Sequence, residues 1–194
     1  MIKAVFFDSG NVLVKEGFAL GISEYEQGYN IPQGKLYASC HDRPFWKDFT
    51  LGNISEETYF QKVAADFREI IDLDVLKKNI SQSFVPNTPL LEYIRSLKPK
   101  YILGIISNNP KEWFDRFWKD YGWSEIFSVK AVSGNLHMRK PAVEIYKYAL
   151  NQAKVAGPES VYVDDRSDRI SGAQEAGINI VIYNNLEQQF SNNL

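Results

Sequence analysis

The residues Ala4-Val5-Phe6-Phe7-Asp8-Ser9-Gly10-Asn11 give the clearest indication of the fold class of this 194-residue chain. Residues 2–7 are mostly apolar and show no alternation of polar and apolar side chains, a pattern typical of a strand buried on both faces of a parallel sheet. The strand stops at a carboxylate, which is followed by turn-forming residues. We therefore expect a buried strand that stops at Asp8.

The same pattern recurs, and polar residues again follow the strands. Residues 101–106 precede Ser107-Asn108-Asn109, and residues 160–163 precede Asp164-Asp165. Residues 178–183 form a fourth candidate strand, and residues 128–132 a weaker fifth. Helical patterns between them begin at Thr88-Pro89, at Pro110 and at Pro141, and another covers residues 169–176. This alternation predicts an α/β fold with a Rossmann-like parallel sheet.

Residues 15–84 interrupt the alternation. They contain four helical patterns, at residues 18–29, 33–40, 55–67 and 74–83, and no convincing strand. This segment holds 8 basic and 11 acidic residues, a net charge of −3, whereas the rest of the chain has a net charge of +1. We expect a core domain made of residues 1–14 and 85–194, with a small helical cap domain, residues 15–84, inserted after the first strand.

Composition excludes several classes of protein. The formal charge is −2 and 44% of the residues are hydrophobic, so the chain is neither disordered nor basic enough to predict binding to nucleic acid or to an anionic membrane. No apolar run reaches the ~18 residues of a membrane span, and the N-terminal apolar run is too short for a secretory signal. Cys40 is the single cysteine, which excludes an intrachain disulfide and fits a reducing compartment. We expect a soluble, cytoplasmic protein.

The polar strand ends are predicted to form one site. In open α/β sheets the ligand lies beyond the carboxyl ends of the strands, so Asp8, Ser107, Asp164 and Asp165 should converge there, joined by Lys140. Taken singly, each of these residues also fits an ordinary turn, cap or solvated loop. The Asp164-Asp165 pair is the stronger signal, because adjacent carboxylates repel each other unless a cation offsets them.

The order of these motifs resembles that of the haloacid dehalogenase-like hydrolase superfamily. All four of its motifs are present: Asp8, Ser107, Lys140-Pro141, and residues 161–165 followed by residues 172–178. The helical insertion is similar to the superfamily's cap of the first, helical type (C1). Residues 7–13 are most similar to the branch that contains small sugar-phosphate phosphatases and the phosphatase domains related to epoxide hydrolases.

The resemblance implies a phosphatase that hydrolyses a small phosphorylated metabolite, such as an anomeric sugar 1-phosphate. Asp8 would be the nucleophile and form an aspartyl-phosphate. Ser107 would donate its hydroxyl to a phosphoryl oxygen, assisted by the amide of Asn108. Lys140 would hold its ammonium group against both the phosphoryl group and Asp8.

The resemblance also implies a magnesium cofactor. Magnesium prefers about six oxygen ligands and often takes only one or two carboxylates from the protein. Asp8, the backbone carbonyl of Gly10 and Asp165 would supply the protein ligands, and Asp164 would be an additional direct or water-mediated ligand.

Two positions depart from the family pattern. Phosphatases of this superfamily usually carry an Asp as general acid two residues after the nucleophile, where this chain has Gly10. Since general acid catalysis contributes roughly 10²–10⁴-fold, three alternatives are open: a substrate whose leaving group needs no proton, another acid from water or the cap, or a catalytically impaired protein that binds or senses a phosphorylated ligand. Arg169 stands where Asp or Asn is usual, and would either pair with Asp164 or Asp165 or be a solvated helix residue.

Several aromatic and histidine residues have more than one interpretation. His41 and His137 could each reach the site or lie on the surface. The first interpretation of Phe45, Trp46 and Phe49 is that they form the packing face of a cap helix. The second is that they form a wall of the substrate pocket. Trp113, Trp118 and Trp123 are core candidates, and any of them that does not face inward would mark a self-association surface, which leaves a homodimer open.

Overall fold

The computed structural model describes residues 1–67 and 71–183. Within them, five parallel strands form one sheet in the order β3-β2-β1-β4-β5. The strands are β1 (Ala4–Phe7), β2 (Ile102–Ser107), β3 (Val129–Val132), β4 (Ser160–Asp164) and β5 (Asn179–Ile182). The predicted α/β class, with a Rossmann-like parallel sheet, is confirmed, and β1 lies at the centre of that sheet.

Helices connect the strands. Five lie between β1 and β2 in the predicted insertion: α1 (Gly17–Gly28), α2 (Lys35–His41), α3 (Pro44–Thr50), α4 (Glu56–Phe67) and α5 (Leu73–Ser83). Five more follow: α6 (Thr88–Leu97), α7 (Lys111–Asp120), α8 (Ser133–Leu136), α9 (Val143–Ala153) and α10 (Ser171–Glu175). None of the described helices is long and apolar enough to cross a membrane.

The strand register brings the polar residues to one edge. Phe7 of β1 lies beside Ile105 of β2 and Val163 of β4, so the residues after these three positions leave the sheet at the same level. The backbone amide of Asp8 still donates to the carbonyl of Val163, at 2.8 Å. The ladder thus fixes Asp8 beside the end of β4.

Both faces of the sheet are covered. Phe6 and Phe7, which are adjacent in β1, belong to two different apolar clusters because successive side chains in a strand point to opposite faces. Phe6 packs with Tyr146 of α9, whereas Phe7 belongs to the cluster that includes Phe114 of α7 and residues of the inserted helices. Burial on both faces explains why β1 has no polar alternation.

The sequence pattern predicts Thr88 as the cap of α6 and Arg169 as the first residue of the helix after β4, and the structure differs at both positions. Asn87, not Thr88, caps α6: its side-chain carbonyl accepts from the amide of Leu90, and its amide group also donates to the Val12 carbonyl, which ties α6 to the β1 loop. The predicted helix over residues 169–176 begins instead at Ser171, because residues 167–169 form a separate 3₁₀ turn. That turn places Arg169 outside the helix.

Candidate active site

Lys140 is the centre of the polar network at the sheet edge. Its ammonium Nζ lies 2.9 Å from Asp8 Oδ1 and 2.8 Å from Asp164 Oδ2, and its side chain has no solvent-exposed surface. Burial raises the pKa of Asp8, an effect that the Lys140 charge opposes. For Asp164, burial is outweighed by the charge and hydrogen bonds of Lys140, which lower its pKa. A buried cation therefore sits between two buried carboxylates.

Asp164 serves chiefly as the partner of Lys140. Its Oδ2 accepts from Lys140 and from the Tyr162 hydroxyl, at 2.5 Å, while its Oδ1 accepts from the backbone amide of Arg166. Tyr162 also accepts a hydrogen bond from Lys140 at 2.6 Å. The role of Tyr162 was not predicted from the sequence, although its hydroxyl lies in the middle of an apolar strand, where a buried polar group needs a partner.

A pair of hydroxyls follows the ends of β1 and β2. The oxygens of Ser9 and Ser107 are 2.6 Å apart, and the side-chain amide of Asn109 donates to both, at 2.6 and 2.8 Å. One hydroxyl proton is used between the two serines, so the other is available for an oxygen of a bound anion. Ser107 thus lies where the sequence predicts, and Ser9 and Asn109 are partners that the sequence analysis missed.

Asn108 positions Lys140. Its side-chain carbonyl accepts from the backbone amide of Lys140 at 2.8 Å, and its side-chain amide donates to the Lys140 carbonyl at 3.0 Å. The side chain of Asn108 therefore holds the backbone of the Lys140-Pro141 segment. Only its backbone amide is left for the phosphate-binding role that the resemblance implies.

Three carboxylates gather at this edge. Asp8, Asp164 and Asp165 each offer an oxygen, and these oxygens lie within 4.8 Å of one another. Burial, together with the carboxylates of Asp8 and Asp164, raises the pKa of Asp165 to about 6, against a hydrogen bond from the Asn11 side chain. Since Lys140 neutralises only one of these charges, the residues fit a further cation with a preference for oxygen ligands, as magnesium has.

A cavity of about 190 Å³ opens above Asp8. Its lining includes Gly10 and Asp165 from the sheet edge, together with aromatic and basic residues: Phe18, Tyr37, His41, Trp46, Phe84, Trp113, Arg139, Arg166 and Arg169. His41 and Trp46 therefore reach the site, as one of their two interpretations required. His137 does not line this cavity; its ring contacts the side chain of Asn53 instead.

Glu16 stands next to Gly10. It is the N-cap residue of α1, where its Oε1 accepts from the amide of Phe18 at 2.9 Å. Its other oxygen lies 3.3 Å from the position that a Cβ on Gly10 would occupy. Burial raises the pKa of Glu16, the hydrogen bond from Phe18 opposes this rise, and the Asp8 charge adds to it. The space beside Gly10 is thus taken by a carboxylate eight residues after Asp8, which the sequence analysis missed.

The predicted pairing of Arg169 is wrong. Within the described residues its guanidinium forms no ion pair with Asp164, Asp165 or any other carboxylate, and it is half-buried in the cavity wall, at the end of a 3₁₀ turn. The neighbouring Arg166 pairs with Asp168, at 2.8 and 2.9 Å. The difference arises because residues 167–169 turn back toward the cavity before α10 begins.

With this geometry in place, comparison with known proteins identifies the family. The model of the haloacid dehalogenase-like hydrolase family matches residues 47–183. The chain belongs to the haloacid dehalogenase-like hydrolases. This confirms the predicted superfamily.

Individual relatives of this hydrolase are distant. A family enzyme from Bacteroides thetaiotaomicron, solved with magnesium and inorganic phosphate, has the same fold, with a TM-score of 0.78 at 19% identity over 95% of this chain and 96% of that one. A sesquiterpene phosphatase from Aspergillus oryzae is 25% identical over 69% of each chain. A drimenol cyclase from Aspergillus calidoustus is 20% identical over 97% of this chain, which spans only 35% of that protein's length.

The inserted helices of the hydrolase are attached to the sheet layer on two sides of the cavity. Glu56 of α4 accepts from Trp113 Nε1 at 2.6 Å and from both terminal nitrogens of Arg116 at 2.8 and 2.9 Å. Although burial opposes the change, Arg116 lowers the pKa of Glu56. On the other side, the Ser133 hydroxyl donates to the Thr50 carbonyl at 2.5 Å. These polar contacts join the inserted helices to α7 and α8.

The three tryptophans predicted to be core residues differ in burial. Trp113 and Trp123 are buried, and Trp118 is half-buried with the ammonium of Lys130 over its ring, at 5.1 Å. The homodimer stays a prediction.

Proposed function

We propose that the chain is a magnesium-dependent phosphatase that hydrolyses a small phosphorylated metabolite, such as a sugar phosphate, through an aspartyl-phosphate at Asp8. The observation that carries the proposal is the meeting of Asp8, Lys140 and the Ser107 hydroxyl at one sheet edge, under a cavity that Asp165 also lines. The relative named a sesquiterpene phosphatase supports the same chemistry.

The reaction has two steps. An oxygen of Asp8 attacks phosphorus, the bond from phosphorus to the leaving oxygen breaks, and that oxygen departs with a proton. Water then attacks the aspartyl-phosphate and releases inorganic phosphate and the Asp8 carboxylate. Lys140 holds Asp8 in place and offsets its charge, while Ser107 and the backbone amide of Asn108 donate to phosphoryl oxygens.

Four groups would hold the cofactor. Asp8, the carbonyl of Gly10 and Asp165 would be the protein ligands of Mg²⁺, with Asp164 contributing through water, because both of its oxygens already accept hydrogen bonds. When bound, the ion would supply positive charge that offsets the phosphoryl oxygens.

Glu16 supplies the proton that Gly10 cannot. Its carboxylate fills the space beside Gly10, on the cavity side of Asp8, and both residues line the same cavity. The carboxyl group of Glu16 would donate to the leaving oxygen. This position favours the alternative in which an acid from the insertion serves the reaction over the one in which the substrate needs none.

The aromatic lining supports a small metabolite with a ring. Phe18 and Trp46 stack at 4.4 Å between ring centroids, and Trp113 lies 5.5 Å from Phe18, so a cluster of aromatic rings lines the cavity together with the polar residues. Binding sites of small metabolites commonly combine aromatic surfaces with a few polar groups that fix orientation. A sugar phosphate presents both kinds of surface.

Turnover of p-nitrophenyl phosphate with Mg²⁺ tests the phosphatase function, and Asp8→Asn should abolish it. If no member of a broad phosphate panel is hydrolysed while inorganic phosphate still binds, the chain is instead a phosphate-binding member of the family that lacks turnover.

Glu16→Gln tests the acid through the leaving group. The variant can still cap α1, because the Gln side-chain carbonyl accepts from Phe18. We expect a loss of about 10²–10⁴-fold in kcat/KM on glucose 6-phosphate, whose leaving oxygen needs a proton, and less than about tenfold on p-nitrophenyl phosphate. Glu24→Gln, on the same helix but outside the cavity lining, is the matched control. Equal losses on the two substrates would exclude Glu16 as the acid.

A further inference from the structure

We propose that Arg139 and Arg169 form a binding site for a second anionic group, so that the substrate carries a carboxylate or a second phosphate besides the phosphoryl group that is transferred. This inference rests on the proposed function and names the class of substrate within it.

Arg139 reaches the cavity from the loop before Lys140. It is half-buried, and one of its terminal nitrogens donates to the hydroxyl of Thr50 in α3, at 3.3 Å. Among the described residues no carboxylate comes within ion-pair distance of it. One of the five N–H groups of Arg139 therefore donates to a neutral hydroxyl, and no carboxylate among the described residues pairs with the guanidinium charge.

Arg169 reaches the same cavity from the turn after β4. It is also half-buried, and it too lacks an ion pair within the described part of the chain. By contrast, Arg166, three residues earlier, is exposed and paired with Asp168. Of the three arginines that line the cavity, Arg139 and Arg169 thus have no ion pair within the described residues, and the charge of Arg169 opposes the rise that burial causes in the pKa of Glu16.

Two guanidinium groups without ion pairs in the lining of one cavity are costly. Burial, and then the charge of Arg169, lower the pKa of Arg139. Arginine cannot escape this cost by losing its proton, because its pKa is too high. Planar guanidinium groups bind carboxylate and phosphate through paired hydrogen bonds, so an anionic group between them would offset both charges.

The transferred phosphoryl group has partners of its own, Lys140, Ser9 and Ser107. Arg139 lines the wider cavity but not the narrower one, of about 40 Å³, that contains Ser107, whereas Arg169 lines both. The bond of Arg139 to Thr50 places it on the side of the inserted helices. The second anion would therefore belong to the leaving group.

Matched substrate pairs test this inference. Glucose 1,6-bisphosphate is compared with glucose 1-phosphate, and 2-phosphoglycolate with 2-hydroxyethyl phosphate, under Mg²⁺. The wild type should favour the member with two anionic groups in at least one pair by about tenfold or more in kcat/KM. Arg139→Gln and Arg169→Gln should each lower kcat/KM for that member by about 10- to 100-fold, mainly through KM, as expected for hydrogen bonds to a charged group.

The matched control is Arg43→Gln, which removes a guanidinium that pairs with Asp66 in the insertion, outside the cavity lining. It should change neither substrate preference. No preference in the wild type, or equal losses on both members of a pair, would overturn the second-anion site; equal losses would assign the arginines to the transferred phosphoryl group.

Failure of the proposed function is distinguishable from failure of this inference. If the wild type hydrolyses no phosphate ester, including p-nitrophenyl phosphate, calorimetry replaces kinetics. Glucose 1,6-bisphosphate should then bind at least about tenfold more tightly than glucose 1-phosphate, and Arg139→Gln should remove the difference. Equal affinity of the wild type for the two compounds would overturn the inference.

Discussion

Replacing Lys140 with methionine should strongly destabilise the fold. Lys140→Met removes the ammonium group while keeping a linear side chain of similar length. Asp8 and Asp164 would then remain buried with no cation between them. The structure thus predicts a loss of stability in the absence of any substrate.

The size of the loss follows from the contacts of Nζ. Lys140 contacts two carboxylates at 2.9 and 2.8 Å and the Tyr162 hydroxyl at 2.6 Å, with no exposed surface. Removing one partner of a buried ion pair typically costs about 3–5 kcal/mol, because the remaining charge is left uncompensated. We expect a loss of about 3–5 kcal/mol in the free energy of unfolding at pH 7.

The loss should depend on pH. Lys140 lowers the pKa of Asp164 in the folded state below its ordinary value of 3.8. The resulting stabilisation is present above that value and disappears as the pH falls through the lowered folded-state pKa. The difference between wild type and Lys140→Met should therefore be largest near neutral pH and should shrink in acid, where the carboxylates accept protons.

Urea unfolding followed by tryptophan fluorescence, with EDTA present, measures this difference at several pH values. Lys111→Met is the control, because Lys111 pairs with Asp115 at 2.7 Å on the surface, with its side chain 55% exposed. That change should cost less than about 1 kcal/mol. A Lys140→Met loss below about 1 kcal/mol at pH 7, or one that grows in acid, would refute the reasoning.

Three further predictions concern the cation, the insertion and the cysteine. Magnesium should raise the midpoint of thermal unfolding relative to EDTA, and Asp165→Asn should remove most of that rise; an unchanged rise would contradict the ligand assignment. Glu56→Gln should lower the free energy of unfolding by about 1–2 kcal/mol at pH 7, since it weakens hydrogen bonds to Arg116; because the pKa of Glu56 is lowered in the fold, urea titrations should show this loss shrinking as the pH falls below its ordinary value of 4.5. Burial raises the pKa of the Cys40 thiol to about 12, so a colourimetric thiol reagent should modify it only after urea is added, and rapid labelling of the native protein would contradict its burial.

The sequence predicted the site residues whose positions depend on the sheet alone. A parallel sheet sends every strand end to one edge, so Asp8, Ser107 and the Asp164-Asp165 pair could be brought together from apolar runs and their polar stops. The insertion was also visible as helical patterns; the predicted helix at residues 55–67, for example, differs from α4 by one residue. The division into core and cap domains stays a prediction.

The residues that the sequence did not reveal are those whose positions depend on tertiary structure. Glu16 is interpreted from the sequence as an ordinary residue before a helix, and only the loop after Asp8, in which the Glu16 amide donates to the Asn11 side-chain carbonyl at 3.1 Å, brings its carboxylate to Gly10. Arg169 reads as part of a helix, yet a 3₁₀ turn sends it into the cavity. Asn109 reads as a turn residue, and its contact with Ser9 spans 100 positions.

In family members with Asp two residues after the nucleophile, the nucleophile and the general acid lie on the same loop. In the mechanism proposed for this chain, the acid is instead Glu16, eight residues after Asp8 and at the start of α1. Asp8 and Lys140 are held by the sheet edge, whereas Glu16 is held by the first helix of the insertion. Substitutions in the inserted helices can therefore change which leaving groups are accepted, together with the shape of the cavity, and leave the nucleophile untouched. In this chain the range of substrates and the source of the proton would evolve as one unit.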